Sequence, residues 1–248
     1  MTNNDKKTFR HSRYVAHFDV LGMTNAIRRD QDKAWGALSN YCSVQHDLDT
    51  KYSIICPVTG ARVNNRSQTK LFSDTIIIFS LSDDIEDLYS IVFKSALLFC
   101  ESLKACVSIR GGIAFGELYI NLDLDMWLGK PLVDAYTLGE SSQWLGIAVE
   151  DTVYEKASVF PNHSDQSLIV RWDLPMKGKD SAVVHKNTGV INWPAMFKPT
   201  VPLPVSIGSF YNPFETLFGP FDDLKEDVKQ KYITTADFMN YQLTGSDI

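Results

Sequence analysis

The stretch KLFSDTIIIFS, Lys70–Ser80, places one acid, Asp74, inside a run dominated by aliphatic and aromatic side chains. Ser and Asp are strong turn formers, so the run predicts a hairpin with strands at Lys70–Phe72 and Thr75–Phe79. On that reading alone Asp74 serves the turn. A second acid in similar surroundings opens another role: YVAHFDVLG, Tyr14–Gly22, reads as a buried strand with Asp19 near its end and a glycine turn after it. Two acids at neighbouring strand ends can share a metal ion.

The composition limits the alternatives. With 248 residues, 44% hydrophobic and 12% aromatic, the chain can bury a large core. Twenty-four Lys and Arg against thirty Asp and Glu give a net charge of −6, which argues against coating nucleic acid by bulk charge. Cys42, Cys56, Cys100 and Cys106 form no CxxC pair and read as reduced core residues. The polar N-terminus lacks a signal core and no run reaches the roughly 18 to 20 apolar residues of a membrane span. A cytoplasmic protein without a membrane partner is expected.

Outward from the hairpin, residues 1–12 read as a flexible tail and Tyr14–Val20 as the first strand. From Asp32, the recurrence of Trp35, Leu38, Tyr41, Cys42, Leu48, Tyr52 and Ile55 predicts a long helix with an aromatic inner face. Pro57–Gln68 reads as a loop, and Asp84 caps a second long helix reaching Lys104. Val107–Phe115 and Glu117–Ile120 read as strands around Gly111, Gly112 and Gly116. Gly129 and Pro131 open a helix over Leu132–Trp144. A strand at Ile147–Val149 and a helix from Asp151 follow. This order predicts an antiparallel-rich α/β (α+β) sandwich occupying 13–160. Seven prolines between Pro175 and Pro220, then a helical Asp222–Gln242, predict an irregular C-terminal extension over 161–248, packed on that core.

Three motifs occur in order. FDVLGM (Phe18–Met23) resembles the first metal motif of the class III nucleotidyl cyclases and FSD (Phe72–Asp74) resembles the second. IRGGIAFGELY (Ile109–Tyr119) is similar to the Arg-x-Gly-Ile-x-x-Gly segment of those enzymes. The resemblance covers Tyr14–Ala157. Within the family, the pyrimidine cyclases of bacterial anti-phage (Pycsar) systems look closest. That rests on the free-standing domain, FSD where adenylyl cyclases have Gly-Asp, and GKPLVDAYTLGES at Gly129–Ser141.

The resemblance implies attack of a ribose 3′-hydroxyl on the α-phosphate of a nucleoside triphosphate. It implies two divalent cations, Mn²⁺ or Mg²⁺, held by Asp19, Asp74 and the backbone carbonyl of Val20. It also implies a homodimer with composite sites, whose interface the extension would widen, and an effector that senses the cyclic product. Arg110 is expected on phosphate, or else in a surface ion pair, and the Gly22 turn is expected to offer backbone N–H groups to phosphates. Lys70 matches a base-contacting lysine; a lysine only donates, which suits the O2 or O4 acceptors of uracil and favours UTP. Tyr52 either narrows the pocket against purines or packs in the core. Where the family has an Asn and an Arg on the helix after the glycine segment, this chain has Val133 and Thr137. The phosphate charge is then met by Arg110 and Lys130, or the domain is degenerate. Asp134, Tyr136 and Glu140 on that helix contact the nucleotide or face solvent, and His17 supports Asp19 or packs. The expected reaction is UTP to 3′,5′-cyclic UMP, with cyclic CMP formation, a regulatory nucleotide-binding module and a scaffold protein as alternatives.

Overall fold

The computed structural model describes residues 8–50, 53–121, 123–163, 165–178, 180–197 and 199–245, with the backbone alone over 45–50. The chain runs β1 (Thr8–Val20), α1 (Met23–Arg29), α2 (Gln31–Thr50), β2 (Ser67–Phe72), β3 (Thr75–Ser80), α3 (Ile85–Lys104) and β4 (Ile109–Asn121). Then follow β5 (Met126–Gly129), α4 (Lys130–Ser141), β6 (Ile147–Val149), α5 (Asp151–Ala157), β7 (Ile169–Lys177) and β8 (Val183–Ile191). The short helices α6 (Ile207–Tyr211) and α7 (Glu215–Phe218) lead to α8 (Glu226–Thr244). One mostly antiparallel sheet of order β2-β3-β1-β4-β6-β8-β7 carries these helices, with β5 on β4 and, among the described residues, only β4–β6 parallel.

The period of two in β1 divides the molecule. Tyr14, Ala16, Phe18 and Val20 point into the main core, which they share with Leu88, Ile91 and Phe99 of α3. Val15, His17 and Asp19 point to the other face, which α4 covers. There Val15, Phe79, Leu118 and Ile120 form a smaller core with Trp127 and Leu132. Helix and strand meet almost backbone to backbone: a Cβ added to Gly112 would lie 2.3 Å from the Ala135 carbonyl oxygen, and one added to Gly139 would lie 2.9 Å from the Gly111 carbonyl carbon. The glycines in β4 thus set how closely α4 sits on the sheet.

Five expectations change. The two strands read at Val107–Phe115 and Glu117–Ile120 are one, β4, which runs unbroken through Gly116. Residues 8–12 are not tail: β1 begins at Thr8 and pairs with β4 in unbroken register from Thr8↔Asn121 to Val20↔Ile109. The polar side chains that hid this segment are solvent-facing, and Arg10 pairs with Glu117 across the two strands. The aromatic face of α2 is only partly inward, for Tyr41 is buried whereas Trp35 is 73% exposed. The α4 helix ends at Ser141, so Trp144 lies beyond it and packs edge-on against Phe238 of α8. The segment past 161 is not irregular throughout, because β7 and β8 extend the sheet and β6 pairs with β8. Pro175 concealed β7, which tolerates it as the edge strand. Helix α8 is bonded into the same core: Thr235 Oγ1 accepts from the Leu145 N–H at 2.7 Å, and the Tyr232 and Ser108 hydroxyls are 2.5 Å apart.

Candidate active site

The β2–β3 hairpin turns through Ser73 and Asp74 alone, with Ser73 in the left-handed region at φ 56. Because β3 pairs with β1, this tip meets the end of β1: Asp19 lies opposite Thr75, and the Val20 N–H donates to the Asp74 carbonyl at 3.2 Å. Directly paired residues share a face, so Asp19, Thr75 and Arg110 form one row across β3, β1 and β4. The sheet therefore brings together Asp19, Val20, Asp74 and Arg110, separated in sequence by up to ninety residues.

The charges in this row are unevenly matched. Burial pushes the Asp19 carboxyl above the usual carboxylate range; Arg110 opposes that, while Asp74 and Glu140 add to it by repulsion. Arg110 is only 9% exposed, and its strongest partner is the Glu140 carboxylate of α4. It also donates to the Glu140 backbone carbonyl at 3.3 Å and stands 3.5 Å from an Asp19 oxygen. Arg110 is thus in a partly buried ion pair rather than the surface pair expected as the alternative to a phosphate contact. Glu140, expected to touch nucleotide or face solvent, is partly exposed and also holds Arg110. His17 sits edge-on to Tyr136 at 5.2 Å between ring centroids; burial lowers its proton affinity and Glu140 raises it.

Gly22 turns β1 into α1 at φ 82, and a side chain there would meet the Phe218 ring at 3.3 Å. Only glycine suits both the backbone and the space. Lys70 lies on the same face as Asp19 but two strands away, and its Nζ donates to Asp125 at 2.7 Å and sits 4.5 Å from the centre of the Trp127 ring. Asp125 and Trp127 were not foreseen, because the turn that carries Asp125 takes φ 48 there and Trp127 lies on β5, a strand too short to show a period. Lys130 is not brought to this cluster. It opens α4 beside Gly129, which pairs with Leu118, eight residues along β4 from Arg110, and its ammonium pairs with Asp134. Tyr52 lies outside the described residues. Val133 and Tyr136 are largely exposed on α4 beside the site, as is Phe72 at the hairpin, 83% exposed.

No protein-family model and no curated protein sequence matches the chain. Solved structures do. The catalytic core of a rhodopsin-guanylyl cyclase with converted specificity, in complex with ATPalphaS, superimposes with a TM-score of 0.52 at 14% identity, covering 75% of this chain and 97% of that one. The chain has the catalytic-core fold of a class III nucleotide cyclase. A class III adenylyl cyclase-like ATP-binding protein from Pseudomonas aeruginosa also matches, with a TM-score of 0.46 and 10% identity over 70% of this chain and 38% of that one.

The cyclase fold implies divalent cations, and the donors at the strand ends fit them. Asp19 and Asp74 present hard carboxylate oxygens, they repel one another, and Arg110, which pairs with Asp19, is engaged more closely by Glu140. Among the described residues no cluster of three or more acid, His or Cys side chains could enclose a metal ion. That also fits, since Mg²⁺ is commonly held by one or two carboxylates with the remaining positions taken by water and substrate phosphate.

Proposed function

We propose that this chain is a pyrimidine nucleotide cyclase that converts UTP to 3′,5′-cyclic UMP and pyrophosphate, as the signal generator of an anti-phage defence. The observation that carries the cyclase reading is the convergence of Asp19 and Asp74 at one end of two paired strands, in the fold of a nucleotide cyclase core. The 3′-oxygen bonds to the α-phosphorus, the bond to the β-phosphate oxygen breaks, and the hydroxyl proton leaves to solvent. Asp19, Asp74 and the Val20 carbonyl would hold two Mn²⁺ or Mg²⁺ ions, which would make the hydroxyl more acidic and offset charge at the phosphate. Around them the Gly22 turn orients the phosphates and Arg110 meets phosphate charge.

The base is read by Lys70, whose ammonium suits the carbonyl acceptors of uracil. The Asp125 carboxylate beside it supplies an acceptor, which suits the uracil N3–H and equally the exocyclic amine of cytosine. That contact keeps cyclic CMP formation as the second reading. Phe72, Val133 and Tyr136 give the site an exposed apolar border, which supports a homodimer with composite sites. Lys130 reaches phosphate only from the second copy. The cyclic product would pass to a separate effector, in the cytoplasm. The test is turnover of UTP with Mn²⁺ by the unaltered chain and by Asp74→Ala. Loss of cyclic product with an unchanged melting temperature is expected, and full activity of the variant would overturn the reading.

A further inference from the structure

The cluster at Asp19 contains a carboxylate that the proposed reaction does not use. Arg110 lies between two acids, Asp19 on β1 and Glu140 near the end of α4, and it serves them unequally. Glu140 engages it twice, through its carboxylate and its backbone carbonyl, while Asp19 makes one longer ion-pair contact, 3.5 Å from the same guanidinium nitrogen. A guanidinium released from Glu140 has a nearer option than solvent. It can close on Asp19 as a fork-on-fork pair, the preferred geometry of Arg with carboxylate.

Other charges face the pair. Asp74 repels Asp19 from the hairpin tip, and Lys231 of α8 lies close enough that Arg110 lowers and Glu140 raises its proton affinity, after a larger loss to burial. Lys231 donates to the Asp227 carbonyl of its own helix at 3.2 Å, and as a cation it cannot take Glu140's place on Arg110. The close seating of α4 on Gly111 and Gly112 fixes the height of Glu140 above the sheet.

We infer that Glu140 is a positioning residue that holds Arg110 away from Asp19, leaving the Asp19 carboxylate available to a divalent cation. This rests on the metal-dependent reading above. Glu140→Gln keeps the shape and removes the charge. Arg110 then turns to Asp19, and a metal ion has to displace it.

The experiment is a calorimetric titration of the purified full chain with Mn²⁺ alone, so the readout does not depend on turnover. Glu140→Gln is expected to bind Mn²⁺ about tenfold more weakly, the scale of one charge-assisted hydrogen bond. The double variant Arg110→Gln with Glu140→Gln, which removes the competitor as well, is expected to recover the affinity of the unaltered chain. Should Glu140→Gln fail to fold, Arg110→Gln alone serves, and binding at least as tight as that of the unaltered chain is expected. Unchanged Mn²⁺ affinity in Glu140→Gln, a double variant as weak as the single one, or weaker binding by Arg110→Gln would each overturn the inference while leaving the metal site standing. Absence of Mn²⁺ binding by the unaltered chain would overturn the metal reading itself and the inference with it.

Discussion

Gly112→Ala tests the link between packing and site most severely. The new methyl carbon would lie 2.3 Å from the Ala135 carbonyl oxygen, 3.0 Å from Leu138 Cβ and 3.1 Å from the Gly139 nitrogen. Two of these three atoms are backbone and cannot rotate away, so α4 has to retreat by about 1 Å to restore ordinary contact. Overpacking of this kind costs about 1–3 kcal/mol, or a fall of about 4–8 °C for a 2 kcal/mol loss in a domain of this size. The same retreat carries Glu140 away from Arg110, and a misplacement of about 1 Å at a catalytic constellation can cost about a hundredfold in rate. The assay is thermal unfolding alongside turnover. Gly36→Ala is the control, since that added methyl group meets nothing within 4 Å in the interior of α2 and should raise stability by up to about 1 kcal/mol. Wild-type melting and turnover in Gly112→Ala would refute the argument that α4 is seated by this glycine.

Three further outcomes are expected. Asp19 has a raised folded pKa, chiefly from burial, so the folded state binds more protons than the unfolded one between the ordinary carboxylate value and the raised one. The stability it contributes is present below that window and lost as pH rises through it. In EDTA at pH 7, Asp19→Asn should therefore melt above the wild type, and Mn²⁺ should raise the melting temperature of the wild type only; coincident pH–stability curves for the two proteins would contradict this. Lys70→Ala removes an exposed ion pair with Asp125, so its stability should change by less than about 1 kcal/mol while the ranking of nucleotides by kcat/KM changes. An equal loss for all four nucleotides would remove Lys70 as base reader. Trp35→Ala should stay within about 0.5 kcal/mol of wild type, and Tyr41→Ala, on the same helix but fully buried, should cost about 3–5 kcal/mol by analogy with other aromatic truncations; urea unfolding distinguishes them.

What was legible in the sequence follows the physics of each segment. The Asp74 hairpin, the strand carrying Asp19 and helix α3 were readable because their apolar periods match the faces they bury. The first residues of β1 were hidden because both faces are exposed there and the backbone pairing with β4 leaves no mark on side-chain pattern. The β7 strand was hidden by a proline that an edge position tolerates. At the site, the two acids stood out against apolar strands, whereas Glu140 resembled any charged residue on a helix. Its role depends on a partner thirty residues away, reached only because glycines let α4 approach β4. Asp125 depended on a left-handed turn that no periodicity announces.

The central claim is nucleotide cyclisation at Asp19 and Asp74. The most direct measurement incubates the purified chain separately with ATP, GTP, CTP and UTP in Mn²⁺ or Mg²⁺ and identifies the products by chromatography and mass spectrometry, with Asp74→Ala in parallel. The account predicts a cyclic pyrimidine monophosphate, cyclic UMP foremost, that is absent from the variant. No cyclic product from any of the four nucleotides, from a folded chain, would contradict it.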